Sequence, residues 1–294
     1  MEEIMAKISE TPIGVADIRE FLATQDDFAL ELAIYHQAKL LGLEATHGGN
    51  YEDPVTKKPR QYDLRVFRAH GDNRIDLAIE CKSLSPSFPL LISRIRRIRD
   101  ESYHQVIWSH EDDDAGGRLR VPRLDANART ASLRNGDSLY PAGEFVGKAT
   151  TQIGRNAKGQ FLSGDGQVFD KWSQALASAA DLVFDAVKHY EDSENGVCST
   201  FICPVLVVPD GTLWVVDYED DGAVRGDPVQ TNETTVFVGR EYWELVSHPG
   251  YAISHLHFCT QSGIVALLGR VADDPALWEK VFPVGPILAS VAGD

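Results

Sequence analysis

The chain has 294 residues, 43% of them hydrophobic, and a formal net charge of −16. That apolar fraction is ordinary for a globular protein, and no run of about 18 apolar residues marks a membrane span. The acidity excludes a protein coated in basic surface, so any nucleic-acid contact falls to local basic patches.

The start, Met1-Glu2-Glu3-Ile4, is acidic and lacks the pattern of a signal peptide. Four cysteines, Cys81, Cys198, Cys203 and Cys259, fall into no Cys-x-x-Cys spacing. They read as reduced core residues of a cytoplasmic protein without membrane partners. Residues 18–22 read as a short helix, a dimer arm or a lid. Asp26-Asp27 caps a helix from Phe28 to Leu41 that Gly42 ends. Phe28, Glu31, Tyr35 and Ala38 share one face of it. Leu43 to Tyr51 reads as the first strand, with His47-Gly48-Gly49-Asn50 allowing a bend. A polar loop, 52–59, follows, and its Lys57-Lys58 is either solvated or a phosphate contact.

Two alternating segments come next. Arg60 to Arg68 is one strand, Gly71-Asp72-Asn73 the turn, and Ile75 to Leu84 the next strand. In the second, Ile75, Leu77, Ile79 and Cys81 point into a core. Asp76, Ala78, Glu80 and Lys82 point the other way. The hairpin brings Asp63 near Glu80. Two such carboxylates repel and take up protons unless a cation sits between them. Oxygen ligands of this kind suit Mg²⁺, with Mn²⁺ as substitute.

Pro86 to Pro89 breaks the sheet. Leu90 to Tyr103 reads as a helix with Leu91, Ile95 and Ile98 on one face and Arg94, Arg96, Arg97 and Arg99 on the rest. In so acidic a chain this cluster is expected to bind the phosphate backbone. Tyr103 to Trp108 reads as a strand. Glu111 to Gly117 is an acidic loop without the ligand spacing of an EF-hand. Gly143 to Ala149 fails as a P-loop, because three residues separate its glycines and Ala149 stands where Ser or Thr would hold Mg²⁺. Lys148 and the stretch to Gly166 read as a mobile loop near substrate. A long helix opens at Asp170-Lys171-Trp172 and runs to about Tyr190. Strands Thr200–Val208 and Leu213–Tyr218 follow, with Pro209-Asp210-Gly211 as the turn. Thr234–Gly239 is a further strand. His255, His257 and Cys259 alternate on one strand face, which favours packing over a zinc site lacking its fourth ligand.

Tyr62-Asp63 followed by Ile79-Glu80-Cys81-Lys82 on the next strand resembles the PD-(D/E)xK nuclease superfamily, which includes restriction endonucleases. Tyr62 replaces the usual Pro, and Asp53-Pro54 is the second choice for the first acid. The resemblance implies an α/β fold with a restriction endonuclease-like αβββαβ core, a mixed central sheet flanked by helices. The chain would be one domain over residues 1–294, with an insertion at about 85–170 and a C-terminal extension. It implies Mg²⁺ held by Asp63, Glu80, the Cys81 carbonyl and Glu31, a third acid on the preceding helix. Lys82 would orient the attacking water. The implied activity is hydrolysis of DNA phosphodiesters by a restriction or phage-defence endonuclease. A catalytically inert binding module on the same fold, with Glu80–Lys82 as a salt bridge, is the competing reading. One such site cuts one strand, so a homodimer is expected, with Phe282–Val291 as its patch.

Overall fold

The computed structural model describes residues 11–24, 26–53, 56–110, 128–164, 166–242 and 250–292. In chain order its elements are α1 (Val15–Thr24), α2 (Phe28–Leu40), β1 (Glu44–His47), β2 (Asn50–Glu52), β3 (Pro59–Gln61), β4 (Leu64–His70) and β5 (Asn73–Cys81). Then come β6 (Leu90–Arg96), β7 (Tyr103–His110), β8 (Ala128–Arg134), β9 (Phe145–Arg155), β10 (Phe161–Gly164) and α3 (Gly166–Ala186). The rest is β11 (Val197–Val208), β12 (Leu213–Tyr218), β13 (Val224–Gln230), β14 (Glu233–Tyr242), β15 (Tyr251–Thr260), α4 (Gln261–Asp273), α5 (Pro275–Val281) and α6 (Val284–Ala292).

The fold is mixed α/β, with a large mixed sheet flanked by helices. Among the described residues thirteen strands join one sheet, ten of them along the path β1-β4-β5-β11-β15-β14-β9-β6-β12-β13, with β10 off it on β9 and β7, carrying β8, on β11. β1, β4 and β5 form an antiparallel meander, and β11 then pairs with β5 in parallel over Ser199–Val207. A parallel neighbour requires a crossover, and α3 is part of it. On its other edge β11 meets β7 first and β15 further on. Strand β5 is therefore covered on both edges and both faces, which is why its residues from Ile75 to Cys81 are all buried.

Alternation sorts the two faces. Ile75, Leu77, Ile79 and Cys81 join Phe201, Cys203, Val205 and Val207 of β11 under α2, α4 and α5. Each such aliphatic side chain contributes about 2 kcal/mol by leaving water. Ala78 and Ile202 face the opposite way, against Ala179, Ala180 and Val183 of α3. Small residues on α3 let it lie close to the sheet, as the sequence suggests.

Several expectations are corrected. The segment expected as an arginine-bearing helix from Leu90 to Tyr103 is β6, followed by a short 3₁₀ turn at Arg99–Glu101. Leu90 and Ile92 alternate into the core, and β6 gains partners in β9 and β12, far along the chain. Long-range pairing overrides the local helical period here. The stretch expected as a mobile loop from Gly147 is the antiparallel pair β9–β10. The turn expected at Pro209-Asp210-Gly211 is present between β11 and β12, closed by the Thr212 N–H on the Pro209 carbonyl, and β12 then pairs with β6 and β13. The acidic loop Glu111–Gly117 lies outside the described residues. In the C-terminal part Phe282 and Ile287 are buried while Val284 and Leu288 are exposed. No described helix is long and apolar enough to cross a membrane.

Helix α4 starts hard against the turn before β14. Thr260 caps it by accepting from the Gly263 N–H at 3.2 Å. A Cβ on Gly263 would lie 1.9 Å from the Asn232 carbonyl oxygen, a backbone atom that cannot swing aside. Gly263→Ala is expected to lower stability by about 1–3 kcal/mol through overpacking, read as a lower urea midpoint at unchanged m value. An unchanged midpoint would mean that this junction yields freely.

Candidate active site

Asp63 ends the β3–β4 connection one residue before Leu64, which pairs with Ile79. The next antiparallel position places Asp63 opposite Glu80. The Asp63 N–H donates to Glu80 Oε1 at 3.4 Å, and Asp63 Oδ2 accepts from the Cys81 N–H at 2.8 Å. The two acids foreseen across the hairpin do meet. Glu80 is fully buried, on the face that α3 covers.

The cation between them is Lys171, in the second turn of α3. Its Nζ lies 2.8 Å from Asp63 Oδ2 and 3.4 Å from Glu80 Oε2. Sequence reasoning placed Lys171 at the opening of a helix and gave it no role. It is 91 residues from Glu80 along the chain, and no local spacing links the two. The only available signal is a lone lysine near the start of the helix that crosses over to β11.

Lys82 goes elsewhere. Its Nζ lies 3.3 Å from Asp27 Oδ2, and the same carboxylate accepts from the Ser83 N–H. Asp27 thus does not cap α2 with its side chain, although it stands at the N-cap. It ties the start of α2 to the segment leaving β5. Glu31, one turn further on, bonds His47 Nε2 at 2.8 Å through Oε2. Asp53, the second choice for the first acid, is buried and fixes its own loop through Arg60 Nε at 2.6 Å and the Thr56 N–H at 2.9 Å.

Electrostatics single out the same group. Burial pushes the Glu80 carboxyl well above the usual glutamate range, the Asp63 charge adds to this, and Lys171 partly offsets it. Glu31 is raised by burial and by Asp63, with His47 and Lys171 opposing. Burial alone would lower Lys171, but Asp63 and Glu80 outweigh it and hold the ammonium above the usual lysine range. Asp76, on the same face of β5, is raised to about 6 by burial and bonds Arg74 Nε at 2.8 Å. It belongs to a separate ion pair.

Two tyrosines wall the site. Arg65 stacks on Tyr62 with its guanidinium carbon 4.3 Å from the ring centroid, and on Tyr51 at 5.3 Å. Gly49 makes room for this: a Cβ there would lie 2.1 Å from the Tyr62 hydroxyl. The expected bend at 47–50 is present, with Gly48 at φ +71°.

The expected basic patch is dispersed. Arg94 is held by both oxygens of Asp217 at 2.7 and 3.1 Å. Arg97 is buried. Arg96 and Arg99 are exposed and bond Gly143 O and Asn135 Oδ1. Lys148 pairs with Glu101. His255 accepts from Arg97 Nε at 3.0 Å and His257 Nε2 meets the Tyr140 hydroxyl at 2.8 Å, inside the core.

Among the described residues no three His, Cys, Asp or Glu side chains converge as a closed metal cage. Mg²⁺ does not demand one, since it is often held by one or two carboxylates and keeps several waters. The paired oxygens of Asp63 and Glu80 suit that habit, and a divalent cation there would replace the Lys171 ammonium. No family model matches the chain, and no curated protein or solved structure is significantly similar to it.

Proposed function

We propose that the chain is a Mg²⁺-dependent endodeoxyribonuclease built on a restriction endonuclease-like core. The carrying observation is the pair of carboxylates, Asp63 and Glu80, that meet across a hairpin and share a single cation. The element order supports the same reading. Helix α2, the meander β1-β4-β5, helix α3 and the parallel strand β11 come in the αβββαβ order once the separate pair β2–β3, between β1 and β4, and β6–β10, before α3, are set aside as insertions.

In this reading Asp63, Glu80 and the Cys81 carbonyl hold the metal. Bound Mg²⁺ would polarise the scissile phosphate and lower the pKa of an attacking water. Asp63 is oriented for this by the Cys81 N–H. Glu80 holds its proton without metal and would act as a ligand only in its ionised form. Lys171 bonds both acids beforehand, balancing the Asp63 charge while Glu80 keeps its proton, and its ammonium would offset charge growing on the phosphate. Lys82 serves the water only after leaving Asp27. Glu31 joins only after leaving His47.

The test is nicking of supercoiled plasmid with Mg²⁺, with Mn²⁺ and with EDTA. Nicking with either metal and none in EDTA is expected. A second reading has its own observation: Lys171 satisfies both acids without any metal, as an inert binding module would. Absence of nicking, together with no shift in melting temperature on adding Mg²⁺ or Mn²⁺, would favour that module.

The exposed arginines give a separate expectation. Replacing Arg96 and Arg99 with Ala should flatten the salt dependence of DNA binding by about one unit of slope per lost phosphate contact. Replacing Arg94, already held by Asp217, should leave the slope alone. An unchanged slope in the double variant would remove this segment from the DNA interface.

A further inference from the structure

A cavity of about 510 Å³ opens beneath α4 and α5, on the face of the sheet opposite Glu80. Its size lies in the range of pockets that enclose small organic ligands. The floor is apolar, with Ile75, Leu77, Phe201, Leu267 and Val271. None of Asp63, Glu80 or Lys171 lines it, so it is separate from the acid cluster.

Two buried polar groups in its wall lack full compensation. The first is Arg97, 4% exposed. Its guanidinium donates to His255 Nε2, the Pro141 carbonyl and Thr235 Oγ1, all uncharged groups. Among the described residues its only carboxylate within ion-pair distance is that of Glu144 at 3.7 Å, which is itself 65% exposed. A buried cation of this kind is costly unless an anion pairs with it closely. The second is His257, 7% exposed, whose Nδ1 has no hydrogen-bond partner. Burial lowers His257 to about 4 and raises Tyr140, so the imidazole is neutral and the phenol keeps its proton. With the phenol donating to Nε2, Nδ1 carries the hydrogen and is a donor without an acceptor. Lys280 at the rim adds an exposed cation, whereas Arg270 is already held by both oxygens of Glu233 at 2.8 Å.

We propose that this cavity binds a small organic anion, a carboxylate or a phosphate ester with a flat apolar body. The anionic oxygens pair with Arg97 and accept from His257, while the body lies on the aliphatic floor. A bare anion would leave that floor wet and is a poor occupant.

The test uses the full chain, with calorimetry and thermal melting against benzoate, phenyl phosphate, nucleoside 5′-monophosphates and inorganic phosphate. At least one organic anion should bind and raise the melting temperature, and inorganic phosphate should bind at least about tenfold more weakly. Which organic probe binds separates a carboxylate ligand from a phosphate ester. Arg97→Met should weaken binding at least about tenfold. Because Arg97 is buried and its variant can unfold, two surface variants carry the test independently. Ala276→Trp narrows the mouth and Lys280→Glu reverses the rim charge, and both should weaken binding in a folded protein. No binding by any probe would overturn the proposal. So would binding indifferent to both surface variants, or inorganic phosphate binding as tightly as phenyl phosphate.

Discussion

Asp63→Asn and Glu80→Gln are each expected to remove metal-dependent nicking, by about 10³-fold or more, yet Glu80→Gln should make the metal-free protein more stable above neutral pH. Glu80 is fully buried with a raised proton affinity caused by burial and then by Asp63. The unfolded chain ionises this group near 4.5 while the folded chain keeps its proton. The folded pKa is thus the higher one. The stability it contributes is complete below the unfolded value and is lost as pH rises toward the folded one. Glu31 shifts in the same direction, again through burial first and Asp63 second. Lys171 is held above the lysine range, so its contribution is intact throughout the acid and neutral region. Urea midpoints at about pH 5 and about pH 8, without metal, should therefore fall for the wild type and fall less for Glu80→Gln. Mg²⁺ should restore the wild type at the higher pH and leave Glu80→Gln unmoved. Equal slopes in the two proteins would remove Glu80 from the site, and full activity in either variant would remove the pair from catalysis.

Lys171→Met carries the second large effect. Among the described residues the Lys171 ammonium is the only cation bonded to both acids. Deleting one partner of a buried ion group leaves the rest uncompensated and costs about 3–5 kcal/mol. Lys82→Ala breaks a contact to a single part-exposed carboxylate and, unlike Lys171→Met, leaves no fully buried acid without its cation, so its cost should be nearer 1 kcal/mol. The nuclease reading adds a signature that a merely structural lysine would lack. Mg²⁺ should rescue the stability of Lys171→Met, because the metal takes the vacated position, and it should do so more than for the wild type. The double variant Lys171→Met with Glu80→Gln should recover stability without metal. Comparable losses for the two lysines, or no rescue by either route, would show that the acids do not depend on Lys171.

These expectations differ in how far the sequence alone reaches them. The hairpin of β4 and β5 was legible because its partners are adjacent in the chain, its turn carries Gly71, and its alternation fixes which face Glu80 occupies. The meeting of Asp63 and Glu80 followed from register alone. The role of Lys171 did not, because it depends on how α3 docks on the sheet. Strand β6 was misread for a related reason. Leu91, Ile95 and Ile98 fit a helical period, but its strand partners are β9 and β12, which no local window contains. Two of the four arginines that make that segment look basic, Arg94 and Arg97, are spent on Asp217 and on the core around His255, and Arg96 and Arg99 stay exposed.

The central position of β11 also governs how the chain can reach this structure. Its register with β5 joins residues more than a hundred positions apart, and its register with β15 joins residues about fifty positions apart. Neither contact is rewarded until a long loop has closed, and parallel pairings of this kind slow folding. During synthesis β5 must wait, with the edge destined for β11 unpaired, until most of the polypeptide has emerged. An open apolar edge is a template for pairing with other chains. Shortening the chain before β15 would leave the Val205–Val208 edge of β11 unpaired permanently, so the segment from β15 onward helps to keep the sheet that carries Asp63 and Glu80 from aggregating.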